Sequence, residues 1–303
     1  MGLILLFILG ALTAAAVFLF GLIHDARFPS RATMGWALGR GFPPDPEAMG
    51  LQSTNEIWGR NQSAWRVRGG APDGVITVII HGWRRSRIDS LRRLHPWWNV
   101  SAEVWLIDLD GHGESPAGPT TLGAADVPAI TSFVHDVLAS DANQVDRPKR
   151  VLFVGHSLGA SITLRVAARL PPTSIAGIVA FAPYESLQEP LQNRLKAQAL
   201  PHFPFAKLAE ICLHMFCGNE SSTTAALRSL HSTGVPVLLI AAQSDPVVSL
   251  KHVQRMANSA GVTVTIDASA GHDDLGTKID IAPESTTSQA AQSFLKSLRV
   301  AIE

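Results

Sequence analysis

The sequence predicts an α/β fold with a mostly parallel, doubly wound sheet. Three observations predict it: short aliphatic runs alternate with stretches of helical periodicity, most of these runs are continuous, and strand and helix follow each other in turn. Continuous apolar strands are typical of a parallel sheet that helices cover on both faces. The 303 residues, 46% of them hydrophobic, are enough for one large α/β domain or two small ones.

The predicted elements follow from these runs. Residues 55–68 carry alternating apolar positions and predict an antiparallel hairpin at one edge of the sheet. The chain from 51 to 303 is therefore predicted to form the α/β domain. Further apolar runs predict strands at 74–80, 103–107, 151–154, 175–181, 235–241 and 262–266, and helical periodicity predicts helices at 127–138, 157–170, 250–260 and 285–301.

One stretch, at about 184–234, breaks this alternation. It lies between two predicted strands and is far longer than a single crossover requires. It contains helix-like pieces at 187–200, 206–216 and 223–230. We therefore expect a short helical cap over the carboxyl edge of the sheet.

The N-terminal segment is apolar on every side. Residues 2–23 contain no charged side chain, and in a helix they would span ~33 Å, which matches the hydrocarbon core of a bilayer. We expect a transmembrane anchor at 1–24 and a linker rich in Gly, Pro and Arg at 25–50. A secretory signal peptide and a buried core helix are the alternatives.

Positive charge follows this segment. Arg27, Arg31 and Arg40 come after it, whereas only the α-amino group precedes it. The positive-inside tendency therefore predicts a single-pass membrane protein with its globular domain on the cytoplasmic face.

Charge and cysteine content exclude several functions. The formal net charge is zero, and no long run of like charges occurs, so nucleic-acid binding is not predicted. Cys212 and Cys217 are interpreted as apolar residues of a cap helix. The chain has no H-E-x-x-H motif and no dense His/Asp cluster, so no metal and no cofactor are expected.

A nucleophile motif follows the strand at 151–154. Gly155-His156-Ser157-Leu158-Gly159 has the pattern G-x-S-x-G, with a predicted strand before it and a predicted helix after it. In this context the serine hydroxyl projects above the sheet, and the flanking glycines permit a close strand–helix approach. The alternative is that Ser157 is only a helix N-cap.

Two partners of Ser157 follow later strands. Asp245 comes after the strand at 235–241, and His272 comes after the strand at 262–266. The order serine, aspartate, histidine is the one that G-x-S-x-G hydrolases show. Because the carboxyl ends of parallel strands meet at one edge of a sheet, we expect the three side chains to converge there.

The residue types then predict the chemistry. His272 takes the proton of Ser157 as the hydroxyl attacks a carbonyl, and Asp245 holds the imidazole in the required tautomer. An oxyanion hole needs two amide donors, which we predict to be the N–H groups of Leu158 and Trp83.

These motifs resemble those of the α/β-hydrolase superfamily, and the N-terminal anchor and short cap are similar to membrane-anchored monoacylglycerol-lipase or lysophospholipase types. The resemblance implies hydrolysis of a small-molecule or lipid ester by a serine esterase without cofactor or metal. The matching blocks are His81-Gly82-Trp83, Asp110-Gly111-His112-Gly113-Glu114-Ser115, Gly155-His156-Ser157-Leu158-Gly159, Ser244-Asp245-Pro246-Val247-Val248 and Gly271-His272-Asp273-Asp274-Leu275.

Several alternatives stay open at this point. The same triad is compatible with a thioesterase or an acyltransferase, and a catalytically silent, membrane-bound binding protein is a further reading. The loop after Trp83 continues with Arg84, Arg85 and Arg87 and is unusually basic. These arginines favour an anionic or phosphate-bearing substrate, or they are solvated. The oligomeric state is not predicted.

Overall fold

A computed structural model describes residues 1–142, 150–218, 221–279 and 284–302. Within these residues the chain forms one eight-stranded sheet with the order β1-β2-β4-β3-β5-β6-β7-β8. The first two strands form an antiparallel hairpin, β2 pairs antiparallel with β4, and all other neighbours are parallel. The strands are β1 (Ser53–Trp58), β2 (Gln62–Arg68), β3 (Val75–Ile80), β4 (Ser101–Ile107), β5 (Val151–His156), β6 (Ile175–Phe181), β7 (Val237–Ala242) and β8 (Val264–Asp267).

The predicted α/β fold is confirmed. Every residue of β3, β5 and β6 is buried, as expected for central parallel strands that helices cover on both faces. The predicted edge hairpin is present as β1 and β2. The helices are α1 (Gly2–Arg27), α2 (Met34–Leu38), α3 (Arg87–Ser90), α4 (His95–Trp98), α5 (Asp126–Ala142), α6 (Leu158–Ala167), α7 (Gln188–Ala197), α8 (Phe205–Cys217), α9 (Thr223–Ser232), α10 (Leu250–Ala260) and α11 (Thr286–Ile302).

The predicted cap region contains three helices with two different roles. α9 packs against α6 and α10 and so belongs to the layer that covers the sheet. α7 and α8 pack against each other, and α8 also packs against α1. We refer to α7 and α8 as the cap helices.

α1 is a continuous apolar helix of 26 residues. Among the described residues it alone is long and apolar enough to cross a membrane, and none of its most apolar part is buried. This exposure differs from the buried core helix considered above, whereas a membrane anchor and a signal sequence both fit. The helix also continues three residues beyond the predicted boundary at 24, to Arg27.

The C-terminal end of α1 and the segment after it are bonded to the rest of the molecule. The ring of Phe18 meets that of Phe205 on α8 edge to face, with centroids 4.8 Å apart. Arg31 donates hydrogen bonds to the carbonyls of Gly113 and Ser115. The segment expected to be a linker is therefore packed against the domain. The division of the chain into anchor, linker and hydrolase domain stays a prediction.

Candidate active site

Ser157 lies in a sharp turn between β5 and α6. Its backbone has φ 55° and ψ −114°, a left-handed conformation that is strained for a residue with a side chain. The Ser157 N–H donates to the carbonyl of Phe181 at 2.8 Å, which ties the turn to the neighbouring strand β6. The Ser157 side chain makes no capping hydrogen bond to α6. The turn thus presents the hydroxyl away from the helix backbone, as a nucleophile requires.

The glycines on either side of this turn are in contact with backbone. A Cβ on Gly159 would lie 2.2 Å from the carbonyl oxygen of Ile80 at the end of β3. A Cβ on Gly155 would lie 2.5 Å from the carbonyl oxygen of Gly159. The spacing of the motif is therefore explained by sterics, because only glycine permits α6 to begin so close to two strands.

The structure brings the three predicted side chains together. The His272 Nε2 atom is 3.1 Å from the Ser157 Oγ atom, and the His272 Nδ1 atom is 2.7 Å from Asp245 Oδ2. The other oxygen of Asp245 accepts hydrogen bonds from the N–H groups of Val247 and Val248 at 2.7 and 2.8 Å. All three side chains are almost entirely buried. The carboxylate is thereby held in one orientation, with one oxygen left for the imidazole.

His156 supports this arrangement in a way that the sequence did not indicate. Its Nε2 atom is 2.8 Å from the carbonyl oxygen of His272. Burial lowers the pKa of His156 well below its ordinary value, so the ring is neutral and its Nε2–H donates to that carbonyl. His156, the residue before Ser157, thus holds the backbone of His272, whose side chain is hydrogen-bonded to Ser157. The adjacency of His156 to Ser157 was the one feature of the sequence that could have pointed to this role.

The loop after β3 lies directly against Ser157. A Cβ on Gly82 would be 3.4 Å from the Cβ of Ser157. His81 shapes this loop, since its Nε2 accepts from the Leu109 N–H at 3.1 Å and its Nδ1–H donates to the Gly82 carbonyl at 2.8 Å. Burial lowers the pKa of His81 to about 4, which keeps the ring neutral.

Two amide groups near Ser157 have no acceptor within the part of the chain that the structure describes. Neither the Trp83 N–H nor the Leu158 N–H donates a backbone or side-chain hydrogen bond among the described residues. Leu158 begins α6, so its N–H lies at the positive end of the helix dipole. The two predicted oxyanion donors are thus available to a ligand.

A narrow cavity of about 40 Å³ opens at Ser157. A second hollow of about 220 Å³ continues it beneath the cap helices and shares Leu122, Leu187 and Leu213 with it. Larger concavities of about 640 and 650 Å³ exist, but Ser157 lines neither of them. The apolar wall of the Ser157 cavity includes Ala26 of α1, Trp83, Leu122, Leu187, Leu191 and Leu213.

The basic residues after Trp83 are paired with acidic ones. Arg84 forms an ion pair with Asp25 at the end of α1. Arg85 lies 2.7 Å from Asp273. Burial opposes ionisation of Asp273, but the charge and hydrogen bond of Arg85, together with the charges of His272 and Arg194, lower the pKa of this carboxyl. The positive charge of the two arginines is thereby largely compensated within the protein.

Arg87 is compensated in the same way. It is buried, lies 3.3 Å from Asp108 and forms a second ion pair with Glu114. None of the three arginines of this loop is therefore a solvated, unpaired charge.

The fold and this site define an α/β hydrolase. The model of the alpha/beta hydrolase family matches residues 77–277, and the chain belongs to this family. A curated relative, an uncharacterised protein of Mycobacterium tuberculosis, is 29% identical over 180 residues, which are 59% of this chain and 54% of the relative. The chain thus spans about half the length of that relative.

Solved structures share the architecture. An esterase from Pyrococcus furiosus is 20% identical, with a TM-score of 0.63 over 84% of this chain and 95% of the esterase. A bacterial membrane phospholipase A is 19% identical, with a TM-score of 0.56 over 99% of both chains. The match to the phospholipase therefore includes almost all of α1.

Proposed function

We propose that the chain hydrolyses carboxylic esters through an acyl-enzyme on Ser157. The observation that carries this proposal is the continuous hydrogen-bonded series from Ser157 Oγ through His272 to Asp245, with steps of 3.1 and 2.7 Å. The membership in the hydrolase family and the likeness to an esterase fold support it.

In the first half-reaction Ser157 Oγ attacks the ester carbonyl carbon, and its proton passes to His272 Nε2. Asp245 stabilises the imidazolium that results. The bond between the carbonyl carbon and the alcohol oxygen then breaks, and His272 returns the proton to the leaving alcohol. Water repeats the sequence on the acyl-enzyme, which releases the carboxylic acid and restores Ser157. The N–H groups of Trp83 and Leu158 are the proposed donors to the negative oxygen of both tetrahedral intermediates.

The proposed place of the reaction is a membrane surface. α1 has the length and composition of a membrane span, and its residue Ala26 lines the cavity at Ser157. An apolar strip on α8, made of Leu208, Ile211 and Met215, is exposed beside α1. Because Phe18 lies about 7 Å along the helix axis before the end of the uncharged segment, its contact with Phe205 holds the start of α8 at the level of the bilayer.

This location favours a lipid or acyl ester as substrate. The likeness to a membrane phospholipase A along almost the whole chain agrees with it. The cytoplasmic orientation of the domain stays a prediction.

The nucleophile is tested by labelling with a fluorophosphonate, which reacts with activated serines. We expect the wild-type chain in neutral detergent to label and the variant Ser157→Ala not to label. Ser244→Ala, which removes an exposed hydroxyl next to Asp245, should label like wild type. Equal labelling of wild type and Ser157→Ala would show that another residue reacts.

The reaction class is tested with matched substrates. The turnover rates of a decanoyl ester, thioester and amide with leaving groups of matched structure are compared. Their ratio separates an esterase from a thioesterase that uses the same triad. We expect Asp245→Asn to lower kcat for the ester by about 10³–10⁴-fold, as the wrong imidazole tautomer does in serine proteases. Asp274→Asn, which changes an exposed carboxylate near His272, should stay within a few-fold of wild type. A folded wild-type protein that turns over none of these substrates would favour the silent binding protein.

A further inference from the structure

The cavity at Ser157 is lined mainly by apolar side chains, and one cation stands among the described residues that line it. Arg194 on the cap helix α7 lines it together with Ser157. The carbon of its guanidinium lies 4.7 Å from the ring centroid of Trp83, so the group is stacked on the loop that carries a proposed oxyanion donor. The position of Arg194 is therefore set by the cap on one side and by this loop on the other.

Among the described residues, Arg194 forms no close ion pair. In the part of the chain that the structure describes, it donates no hydrogen bond and has no carboxylate within ion-pair distance. Arg84 and Arg85, by contrast, each form an ion pair with an aspartate. Burial lowers the pKa of Arg194; the nearby Asp273 opposes this shift, and Arg84 and Arg85 add to it. A guanidinium nevertheless stays protonated in proteins, so the pocket holds a positive charge that Asp273 stabilises only from beyond ion-pair distance.

We propose that Arg194 is a specificity residue that binds a phosphate group on the substrate. The inference rests on the proposed ester hydrolysis at Ser157 and names the substrate class: an acyl ester whose alcohol part carries a phosphate. The apolar residues of the same wall, such as Leu187 and Leu213, suit the acyl chain. The phosphate then belongs to the alcohol part of the substrate, which lies across the scissile ester bond from the acyl chain. A planar guanidinium with free donors matches a phosphate through two parallel hydrogen bonds.

The experiment compares two esters with one acyl chain. 1-Decanoylglycerol and 1-decanoylglycerol 3-phosphate differ only in the phosphate, and kcat/KM is measured for both in neutral detergent micelles. We expect wild type to prefer the phosphate-bearing ester and Arg194→Gln to reduce this preference about ten- to hundredfold, the range for a lost hydrogen bond to a charged group. Arg194→Lys should retain part of the preference, because lysine keeps the positive charge but cannot donate two parallel hydrogen bonds.

Lys196→Gln is the matched control, since it removes the same charge from an exposed position on the same helix. We expect it to leave the preference unchanged. A wild type without preference, or an Arg194→Gln variant that loses equal factors on both esters, overturns the proposal. Inorganic phosphate is tested as an inhibitor of 1-decanoylglycerol hydrolysis. Inhibition without any preference for the phosphate ester would assign Arg194 to a free anion instead.

Failure of the proposed function is distinguishable from failure of this inference. Fluorophosphonate labelling and decanoylglycerol turnover report on Ser157 alone. Labelling of Arg194→Gln, together with its melting temperature, shows that a changed preference does not arise from unfolding.

Discussion

Buried ionisable residues around the site are tuned by desolvation, and Asp126 is the clearest case. It stands at the start of α5, and one of its oxygens accepts the Asp110 N–H at 3.0 Å, which fastens the loop after β4. Burial raises the pKa of Asp126 from 3.8 to about 7. The folded chain therefore binds more protons at this carboxyl than the unfolded chain does between about pH 4 and 7. Its contribution makes the free energy of unfolding fall as the pH rises through that window.

Asp126→Asn removes this contribution and keeps the oxygen that accepts the Asp110 N–H. We compare the free energies of unfolding of the variant and the wild type. The difference, variant minus wild type, should rise by roughly 2–4 kcal/mol from pH 4 to pH 7. Urea unfolding in neutral detergent at a series of pH values measures it. Buried histidines such as His81 and His112 have lowered pKa values, so their contributions to the free energy of unfolding change with pH in the opposite direction. These contributions are common to both proteins and cancel in the difference.

Asp136→Asn, at an exposed position on the same helix, is the control. We expect no comparable trend for it, because this substitution leaves the buried carboxyl of Asp126 in place. A flat difference for Asp126→Asn as well would contradict a raised pKa at this site.

At the scale of the element, α8 carries apolar residues on two faces. One face, with Ala206, Ala209 and Leu213, is buried against the rest of the molecule and also contains the buried Glu210, which is paired with Lys207. The other carries Leu208, Ile211 and Met215 at spacings of three and four residues and is exposed. An exposed apolar face is costly in water, and under the proposed membrane location a bilayer would cover it.

The double variant Ile211→Glu/Met215→Glu tests this interpretation of α8. We expect it to lower turnover of a decanoyl ester embedded in phospholipid nanodiscs by at least about tenfold, since each lost apolar contact is worth about 1.5–3 kcal/mol. Hydrolysis of a water-soluble acetyl ester should change little, because the substituted side chains face away from the cavity. Ser229→Glu/Ser232→Glu, on the exposed side of α9, adds the same charge and should leave both rates near wild type. If both double variants reduce nanodisc turnover equally, charge rather than α8 is responsible.

At the scale of the whole molecule, the N-terminal helix contacts the candidate site. The indole N–H of Trp83 donates to the carbonyl of Ala26 at 3.0 Å, and the Thr120 N–H donates to the carbonyl of Arg27 at 2.7 Å. Ala26 is buried and lines the cavity at Ser157. α1 is therefore part of the pocket wall in addition to being a candidate anchor.

Ala26→Phe tests this coupling. The larger side chain would fill a cavity of about 40 Å³, so we expect the ratio of kcat/KM for a decanoyl ester to that for an acetyl ester to fall about tenfold or more. Ala16→Phe, on the exposed part of α1, makes the same change away from the pocket and should not alter the ratio. An unchanged ratio in Ala26→Phe would mean that the acyl chain does not pass along α1.

The sequence predicted most of the sheet and the members of the candidate site. Continuous apolar runs identify β3, β5 and β6, and turn chemistry identifies Ser157, because both signals are local. Asp245 and His272 are found from order alone, since each follows a strand of the same parallel sheet. The short helices α2, α3 and α4 carry too few residues for a periodic pattern and were not predicted.

Charge pairing was decided only by the tertiary structure. The sequence drew attention to Arg84 and Arg85 as sources of positive charge, but their partners Asp25 and Asp273 are far away along the chain. Arg194, in contrast, carries no sequence signal, and its lack of a partner depends on how α7 meets the loop at Trp83. By itself, therefore, the sequence determined which groups the protein has and at which sheet edge they gather. Which charges remain uncompensated, and which helix closes the pocket, depend on distances between residues that only the folded chain brings together.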